Sequence, residues 1–318
     1  MALSKRSRSV GSVRMLIQRN RKHHRKEQLL SKAVPVLLFT AASLSILTTI
    51  GIVWTLATET TVFFQHISII HFVTGKEWLP FFRTNAQYGM LPLVCGTFLV
   101  TAIAMMVAIP IGLGCAVYLS EYASDRLRRI IKPLLEILAG IPTIVYGFFA
   151  LTFVTPMLQT IIPKLQFFNA LSPGIVIGIM LIPTIASLSE DAIHAVPSSF
   201  REGSLGLGAT RFETTVRVVL PSALSGILAS IVLAVSRAMG ETMIVVIAGG
   251  ATPVLSINPM QSIQTLTAYI VQVSLGDAPH GTIAYYSMYA VGSVLFIFTF
   301  FMNMAARHIA RRFKGGYS

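Results

Sequence analysis

Charged residues are scarce in this sequence. They make up 12% of the 318 residues, whereas hydrophobic residues make up 54%. A soluble domain contains about 25% charged residues. The composition therefore excludes an ordinary soluble protein and indicates an integral membrane protein.

Cysteine is scarce as well, with only Cys95 and Cys115, which fall in one predicted helix. Their separation of twenty residues corresponds to about 30 Å of helix. That distance excludes a disulfide between them, and we expect both to be packing residues.

Motifs of nucleotide-binding and hydrolytic proteins are absent. There is no Gly-x4-Gly-Lys-[Ser/Thr] loop, so we do not expect this chain to bind or hydrolyse ATP itself. Neither His-Glu-x-x-His nor Gly-x-Ser-x-Gly occurs, and the adjacent His23 and His24 are a poor metal site. We expect no enzyme activity, no cofactor and no metal in this chain.

The few charges are mostly positive, and the formal net charge is +13. Ten of the Lys and Arg residues lie in residues 1–32, and most of the others lie in short segments between apolar runs. No basic face is interleaved with aromatic residues, as binding of single-stranded nucleic acid would require. We expect no nucleic acid, and a basic arm held near anionic lipid headgroups.

Six apolar runs follow the arm, and each is long enough to cross a bilayer. They predict an all-α polytopic membrane protein with six transmembrane helices at residues 33–57, 93–120, 134–156, 172–189, 222–248 and 283–306. The predicted organisation has four parts: a basic cytoplasmic arm (1–32), the first helix and its outer loop (33–92), a core of five helices with a cytoplasmic loop at 191–221 (93–306), and a cytoplasmic tail (307–318).

The distribution of Lys and Arg between successive connecting segments predicts the orientation. With the N-terminus in the cytoplasm, the inner segments hold 21 of these residues and the outer segments hold three, Lys76, Arg83 and Lys164. We therefore expect a multi-pass protein of the cell inner (plasma) membrane with both termini in the cytoplasm. Three acidic residues near the inner ends of spans are expected to be interfacial: Glu136, Glu190 and Asp191.

The predicted outer segments have two features of their own. The loop of residues 58–92 carries, among its aromatic residues, several that suit the membrane interface: Trp78, Phe81, Phe82 and Tyr88. Residues 249–280 contain no Lys or Arg, and the stretch 263–273 has helical periodicity. This periodicity predicts a short surface or re-entrant helix.

An arginine and a glutamate lie inside the fifth apolar run, in the stretch Ser236-Arg237-Ala238-Met239-Gly240-Glu241-Thr242. Arg237 is sixteen residues after Pro221, about 24 Å along a helix, in a hydrocarbon core of about 30 Å. In one continuous helix, Glu241 would lie on the same face, because residues four apart stack on one side.

Such a pair is either a structural pair that neutralises itself or an anion site. An unpaired arginine at this depth costs at least about 3 kcal/mol, and ionisable residues within membranes are usually functional. We therefore predict that Arg237 and Glu241 lie on a substrate path, together with the flanking Ser236 and Thr242.

Two matching triplets, Ile141–Thr143 and Ile182–Thr184, put a proline inside the third and fourth predicted spans. A proline inside a helix frees a backbone carbonyl and kinks the helix, which is tolerated where a neighbour or a cavity satisfies that group. Packing alone and lining of a path both fit this pattern. The candidate path-lining residues are Pro142, Thr143, Pro183 and Thr184. Six glycines in the second to fourth spans permit close approach of helices: Gly112, Gly114, Gly140, Gly147, Gly174 and Gly178.

The loop of residues 191–221 has the clearest pattern between two spans. Ser199 and Glu202 fit a capping box at the start of a helix, and Gly208 fits a helix stop. The pattern predicts a short helix across the cytoplasmic face, followed by a segment that leads into the fifth span. Composition alone would favour an ordinary loop helix over one that transmits force from a soluble partner.

The spacing of this loop resembles the signature loop of ATP-binding-cassette (ABC) importer permeases. That family has Glu-Ala-Ala, then Gly four positions after the triplet, then Ile-x-Leu-Pro. The matching residues here are Glu202-Gly203-Ser204, Gly208 and Val218-Val219-Leu220-Pro221. The resemblance implies the type I ABC importer permease fold, and a loop from about Ser199 to Pro221 that docks on an ATPase subunit.

Four further stretches are similar to phosphate importer permeases of the PstC type. Residues 237–242 resemble the Arg-Ala-x-Gly-Glu-Thr motif of that family, and the others are 88–97, 118–122 and 138–147. The resemblance covers about residues 75–312. It implies that Arg237 and Glu241 serve transport of inorganic phosphate. It also implies a second homologous permease, two ATPase subunits that bind the ATP, and an extracytoplasmic phosphate-binding protein.

Three alternatives remain open. The same machine could carry another oxyanion, such as phosphonate, sulfate or molybdate. The chain could instead be an autonomous anion channel or an ion-coupled transporter. A membrane scaffold or sensor without a transport path is a third class, and it would leave Arg237 unexplained.

Overall fold

The computed structural model describes the backbone of residues 3–82 and 85–314, and the side chains of residues 34–82 and 85–308. The side chains of the basic arm, Arg83 and the side chains of the tail beyond residue 308 lie outside the described part. By backbone contacts the chain divides into two compact units, residues 1–57 and residues 58–318.

Helices account for most of the described backbone. In chain order they are α1 (Leu3–His66), α2 (Ile69–Thr74), α3 (Leu91–Val117), α4 (Asp125–Gly140), α5 (Thr143–Phe149), α6 (Thr155–Ile161), α7 (Leu171–His194), α8 (Ser198–Gly206), α9 (Arg211–Thr214), α10 (Leu220–Met239), α11 (Met243–Ala248), α12 (Leu266–Gln272) and α13 (Ile283–Lys314). Single π-helical turns cover Tyr118–Tyr122, Ala150–Val154, Thr215–Val219 and Val273–Asp277. Two strands of two residues each, β1 (Trp78–Leu79) and β2 (Gln87–Tyr88), pair antiparallel.

Six helical stretches of the described chain are long and apolar enough to cross a membrane: Val34–His66, Leu91–Tyr122, Thr143–Ile161, Leu171–His194, Arg211–Met239 and Ile283–His308. The all-α class and the six spans are thus confirmed. The second, fourth and sixth spans agree with the predicted ones to within a few residues at each end. The first continues nine residues beyond its predicted end at residue 57.

The third span begins later than predicted. Instead of one helix over residues 134–156, α4 ends at Gly140, Ile141 is extended, and Pro142 precedes the first residue of α5. The proline ring pushes the residue before it out of the helical conformation. Its missing N–H costs nothing at a helix start, where no helical partner exists. The amphipathic α4 therefore belongs to the segment that connects the second and third spans.

Helices α3 and α7 form the centre of the second unit, and α10 packs on both. Three predicted glycines allow the approach of α3 and α7, because a Cβ on each would lie within 2.8 Å of a side chain on the other helix: Gly112 (Ile185), Gly174 (Ile103) and Gly178 (Val107). Small residues let helix backbones approach closely in membranes. The same prediction is wrong for Gly114 and Gly140, where a Cβ would meet nothing within 4 Å.

An aromatic cluster holds α12 against the loop that follows the first span. The ring of Trp78 lies edge-on to Tyr88 and to Tyr269 of α12, with centroid distances of 5.9 and 4.8 Å. Trp78 and Tyr88 are buried, whereas Phe81 and Phe82 are exposed. The predicted interfacial position is thus wrong for the buried pair, because the β1–β2 hairpin turns these rings onto α12.

The predicted short helix at residues 263–273 is present as α12. It lies in the interior, since Leu266 and Tyr269 on it are both 0% exposed. Its N-terminus is capped by Thr265, whose hydroxyl accepts a hydrogen bond from the backbone N–H of Ala268 at 3.2 Å. This buried helix lies next to the fifth span, where the candidate site is found.

Candidate functional site

The fifth span is interrupted between Met239, where α10 ends, and Met243, where α11 begins. Gly240 ends α10 because glycine is the weakest helix former after proline. The hydroxyl of Thr242 donates to the carbonyl of Gly240 at 3.1 Å, a local bond that competes with helical continuation. The prediction of one continuous helix to residue 248 is therefore wrong.

The interruption separates Arg237 from Glu241. Arg237 is in the last turn of α10, whereas Glu241 lies beyond the helix end. Among the ion pairs of the described side chains, none joins these two residues. Their expected stacking on one helical face does not occur, because the backbone leaves the helical path at Gly240.

Arg237 reaches across to α7. Its Nη1 donates to the hydroxyl oxygen of Thr184 at 3.1 Å, and in the single chain Arg237 is an exposed residue. Thr184 is thirteen residues from Leu171 and ten from His194, the ends of α7, or about 20 and 15 Å along the helix. The guanidinium thus contacts the middle of a span, and its partner there is a neutral hydroxyl.

Glu241 is buried and holds the start of α11. One of its carboxylate oxygens accepts a hydrogen bond from the backbone N–H of Ile244 at 3.4 Å, and the carboxylate lies at the positive end of the helix dipole. Its backbone carbonyl accepts from the hydroxyl of Thr267 in α12 at 2.9 Å. Of the two predicted neighbours, Ser236 is buried on α10 and Thr242 is half-buried in the interruption.

The two proline triplets have different structures. Pro142 and Thr143 start α5, which packs on α11: a Cβ at Gly147 would lie 2.8 Å from Cδ1 of Ile247. Pro183 is buried within α7, which continues through it, and Thr184 follows as the partner of Arg237. The second triplet therefore supplies the hydrogen-bond partner of Arg237.

A cavity of about 350 Å³ lies between α4 and α7. Pro183 and Thr184 line it, and so do Lys132 and Glu190. Glu190 is six positions after Thr184 in α7, about 9 Å along the helix. The cavity therefore extends from the partner of Arg237 towards the end of α7 that the charge count predicts to be cytoplasmic. Pro142 and Thr143 are not among the residues that line it.

A charge cluster that sequence reasoning missed lies at this end of the cavity. Glu190 is 3% exposed and pairs with Nε of Arg128 at 3.3 Å and with Nζ of Lys132 at 3.1 Å. The expected interfacial position of Glu190 is thus wrong, because α4 covers it. The spacing of Arg128 and Lys132 on one helical face is the sequence signal that could have pointed to an acidic partner.

The loop helix is present as α8, but its predicted capping box is not. Pro197 is the N-cap residue and no side chain caps the helix, so the Ser199–Glu202 prediction is wrong. A capping box does form at the next helix, between Thr210 and Glu213. Both stretches have the same Ser/Thr-x-x-Glu spacing, and Pro197 favours the earlier start of α8 because its fixed φ fits the residue before a helix.

The predicted helix stop at Gly208 is present. Gly208 has φ +88, a conformation that disfavours residues with a Cβ. Its N–H donates to the carbonyl of Leu205, and the N–H of Ala209 donates to the carbonyl of Ser204. This pair of bonds is the Schellman arrangement that closes a helix end.

The remaining residues of the predicted coupling loop surround this turn. Glu202 and Gly203 are exposed on α8, and the Ser204 hydroxyl lies 2.9 Å from that of Thr214 in α9. Leu220 and Pro221 are the first two residues of α10. The loop therefore presents α8 at the surface and leads directly into the helix that carries Arg237.

Arg201 anchors α8 to two spans, which sequence reasoning also missed. Its guanidinium bonds Glu121, at the end of the second span, and the carbonyls of Ile193 and Val196 at the end of the fourth. Arg201 therefore attaches α8 to the ends of both spans.

The fold is that of a polytopic membrane protein, and Arg237 contacts the middle of one of its spans. Residues 108–315 match the family described as binding-protein-dependent transport system inner membrane component, and the chain belongs to this family. It is a transport subunit, the permease of an ABC importer, and a multi-pass protein of the inner membrane. The resemblance of its sequence to PstC-type permeases is confirmed by the relatives that follow.

Relatives of known name align with about three quarters of the chain. A probable ABC transporter permease protein, YqgH of Bacillus subtilis, is 34% identical over 78% of this chain and 80% of its own length. The phosphate transport system permease protein PstC of Mesorhizobium japonicum is 33% identical over 76% of this chain and 78% of its own. PstC 1 of Mycobacterium tuberculosis is 33% identical over 76% and 82%.

Solved structures share the fold at low sequence identity. A chain of a bacterial ABC transporter involved in the import of alginate matches with a TM-score of 0.61 and 17% identity, over 87% of this chain and 95% of that one. A chain of the MetNI methionine ABC transporter matches with a TM-score of 0.52 and 19% identity, over 71% and 94%. These likenesses confirm the predicted ABC importer permease fold.

Proposed function

We propose that this permease carries inorganic phosphate into the cytoplasm and that Arg237 is the cation that phosphate contacts within the membrane. The observation that carries the proposal is the charge of Arg237. It reaches the middle of α7, and its hydrogen bond there goes to the neutral Thr184. A cation at such a depth costs at least about 3 kcal/mol, and an anionic ligand would offset this cost.

The chemistry of arginine fits a phosphate cargo. Phosphate entering a dehydrated cavity loses hydration, which fixed donors must replace. A guanidinium offers two parallel N–H donors to phosphate oxygens and does not deprotonate. The single bond to Thr184 occupies Nη1 of Arg237 and leaves the other donors for a ligand.

The relatives support the choice of phosphate. Two of those described above are named as phosphate transport permeases, and they align with about three quarters of this chain. A phosphate cargo also agrees with the cationic environment at Arg237.

Glu241 limits how tightly the path holds its cargo. Its carboxylate is buried near the Arg237 end of α10, and its negative charge repels phosphate in a low-dielectric site. When the interruption between α10 and α11 rearranges, Glu241 can compete for Arg237 and favour release. Ser236 and Thr242 flank the path, and Pro183 and Thr184 line the cavity through which phosphate continues.

The energy for transport comes from partner subunits. Two ATPase subunits bind the ATP and contact α8 and the following loop to Pro221, while an extracytoplasmic phosphate-binding protein delivers the cargo. A second homologous permease completes the path. The termini are cytoplasmic, and the basic arm of residues 1–32 lies near anionic lipid headgroups.

The test is uptake of labelled phosphate by vesicles that contain the complete importer. We expect Arg237→Ala to abolish uptake while the complex still assembles, and Arg129→Ala, at an exposed arginine of α4, to retain it. Wild-type uptake by an assembled Arg237→Ala complex would refute the proposal.

Competition by phosphonate, sulfate and molybdate tests the substrate. If one of them displaces phosphate at lower concentration than phosphate itself, that oxyanion is the cargo. Uptake by the purified chain without ATPase subunits would indicate an autonomous channel or transporter instead.

A further inference from the structure

The interruption between α10 and α11 is held from the side by α12. Residues 266–269 of α12 are all at most 5% exposed, although the helix lies in a connecting segment between the fifth and sixth spans. A buried connecting helix must satisfy its polar groups within the protein. The hydrogen bonds of α12 therefore identify the segments that hold it in place.

One of these contacts reaches the interruption itself. The repeating backbone bonds of α11 begin with Val246 N–H to the carbonyl of Thr242, so α11 does not use the carbonyl of Glu241. That carbonyl accepts instead from the hydroxyl of Thr267 at 2.9 Å, and Thr267 is 4% exposed. A buried carbonyl without this donor would favour a return to the helical arrangement, where a backbone N–H satisfies it.

Thr267 is in turn held in place from α3. The N–H of Leu266 donates to the hydroxyl oxygen of Thr97 at 3.0 Å, and the hydroxyls of Thr265 and Thr267 lie 3.0 Å apart. The position of the Thr267 hydroxyl thus depends on a rigid span and on the cap of α12. It is a fixed donor directed at one carbonyl.

We propose that Thr267 is a positioning residue that keeps the interruption open and so keeps Glu241 away from Arg237; this role rests on the proposed function. If residues 240–242 became helical, Glu241 would lie four residues from Arg237 on the same face, where opposite charges pair. The pair would neutralise the cation that phosphate needs. The bond from Thr267 opposes this by satisfying the carbonyl of Glu241 in the non-helical arrangement.

The substitution that tests this is Thr267→Val, which keeps the side-chain shape and removes the donor. We expect uptake of labelled phosphate by the complete importer to fall about fivefold, the size of one neutral hydrogen bond, and Thr267→Ser to restore it. The matched control is Thr101→Val, because Thr101 is 5% exposed and its hydroxyl bonds only the carbonyl of Thr97, one turn earlier in the same helix.

A second substitution separates this role from a general packing defect. If Thr267→Val acts by letting Glu241 neutralise Arg237, then Glu241→Gln removes the partner, and the double variant should transport no more slowly than Glu241→Gln alone. Losses that multiply in the double variant would overturn the proposal, and so would wild-type uptake by Thr267→Val.

Amide hydrogen exchange gives a readout that does not depend on the cargo. We expect slower exchange in peptides covering residues 240–245 in Thr267→Val, because helical bonds form there, and no change in Thr101→Val. Unchanged exchange would overturn the role of Thr267 even if Arg237→Ala abolishes uptake. Conversely, slower exchange in Thr267→Val together with full uptake by Arg237→Ala would refute the phosphate path at Arg237. It would leave the role of the Thr267–Glu241 hydrogen bond in holding the interruption intact. If Thr267→Val does not assemble, Thr267→Cys, a weak donor of similar size, replaces it in each comparison.

Discussion

Arg201 and Glu121 join the surface helix α8 to the end of the second span. Nη2 of Arg201 lies 2.9 Å from a carboxylate oxygen of Glu121, and Nε contacts both oxygens at 3.2 and 3.4 Å. Nη2 also donates to the carbonyl of Ile193 at 2.9 Å, and Nη1 donates to the carbonyl of Val196 at 2.6 Å. One planar guanidinium therefore connects three chain segments, which a flexible point charge such as lysine could not do in the same geometry.

Arg201→Lys should uncouple ATP hydrolysis from uptake. The charge remains, but the fork that holds Glu121 and the two carbonyls is lost, so movement of α8 is no longer passed to the spans. We expect phosphate transported per ATP hydrolysed to fall about tenfold, since hydrogen bonds to charged groups contribute about 1.5–3 kcal/mol. The measurement is uptake and ATPase activity of the same reconstituted importer, with Arg129→Lys, at an exposed residue of α4, as the control. An unchanged ratio would show that Arg201 has no part in transmission.

Gly208→Pro should also uncouple the importer, for a reason of backbone conformation. Proline fixes φ near −65°, whereas Gly208 has φ +88, so the end of α8 cannot form. Gly51→Ala in the first span is the control, because a Cβ there would also meet nothing within 4 Å and alanine favours a helix. We expect Gly208→Pro to hydrolyse ATP without a matching uptake of phosphate, whereas the control variant should keep the two activities coupled. Tight coupling in that variant would argue that this loop is not the docking site.

Glu190→Gln should destabilise the chain. Its carboxylate is 3% exposed and faces both Arg128 and Lys132, so the neutral amide leaves two cations without their partner. We expect a loss of about 1–3 kcal/mol, because the buried amide N–H donors would face two cations and stay unsatisfied, seen as a lower thermal midpoint of the purified complex. Glu136→Gln, exposed on α4, should leave the midpoint unchanged. Equal midpoints for the two variants would contradict a structural role for Glu190.

Sequence reasoning located the spans because long apolar runs need only length and composition to be recognised. It placed the helix stop at Gly208 for a similar reason, since a single glycine after a helical stretch is a local signal. It did not find the interruption at Gly240. The apolar character continues through residues 243–248, and glycine is common inside membrane helices, so Gly240 did not distinguish a break from a continuous helix.

The contacts of Arg201 and Glu190 depend on residues far away in the chain, and no local pattern specifies them. Glu121 is eighty residues from Arg201, and Arg128 is sixty-two residues from Glu190. The count of Lys and Arg residues in the connecting segments predicts the orientation in the membrane, but it does not predict which acidic residue each of them contacts. The same limit applies to Arg237. Its depth in an apolar run is visible in the sequence, but its pairing with Thr184 follows only from the packing of α10 on α7.

Thr184→Val should weaken transport without removing the cation. The guanidinium of Arg237 would lose the one hydroxyl that directs it towards the cavity between α4 and α7, so phosphate would meet a less ordered donor. We expect uptake to fall about fivefold, as for the loss of one hydrogen bond, and Thr184→Ser to restore it. The control is Thr152→Val, whose hydroxyl bonds only the carbonyl of Phe148 one turn earlier. Uptake is measured in vesicles with the complete importer, and equal rates for Thr184→Val and Thr152→Val would mean that Arg237 is oriented by something other than α7.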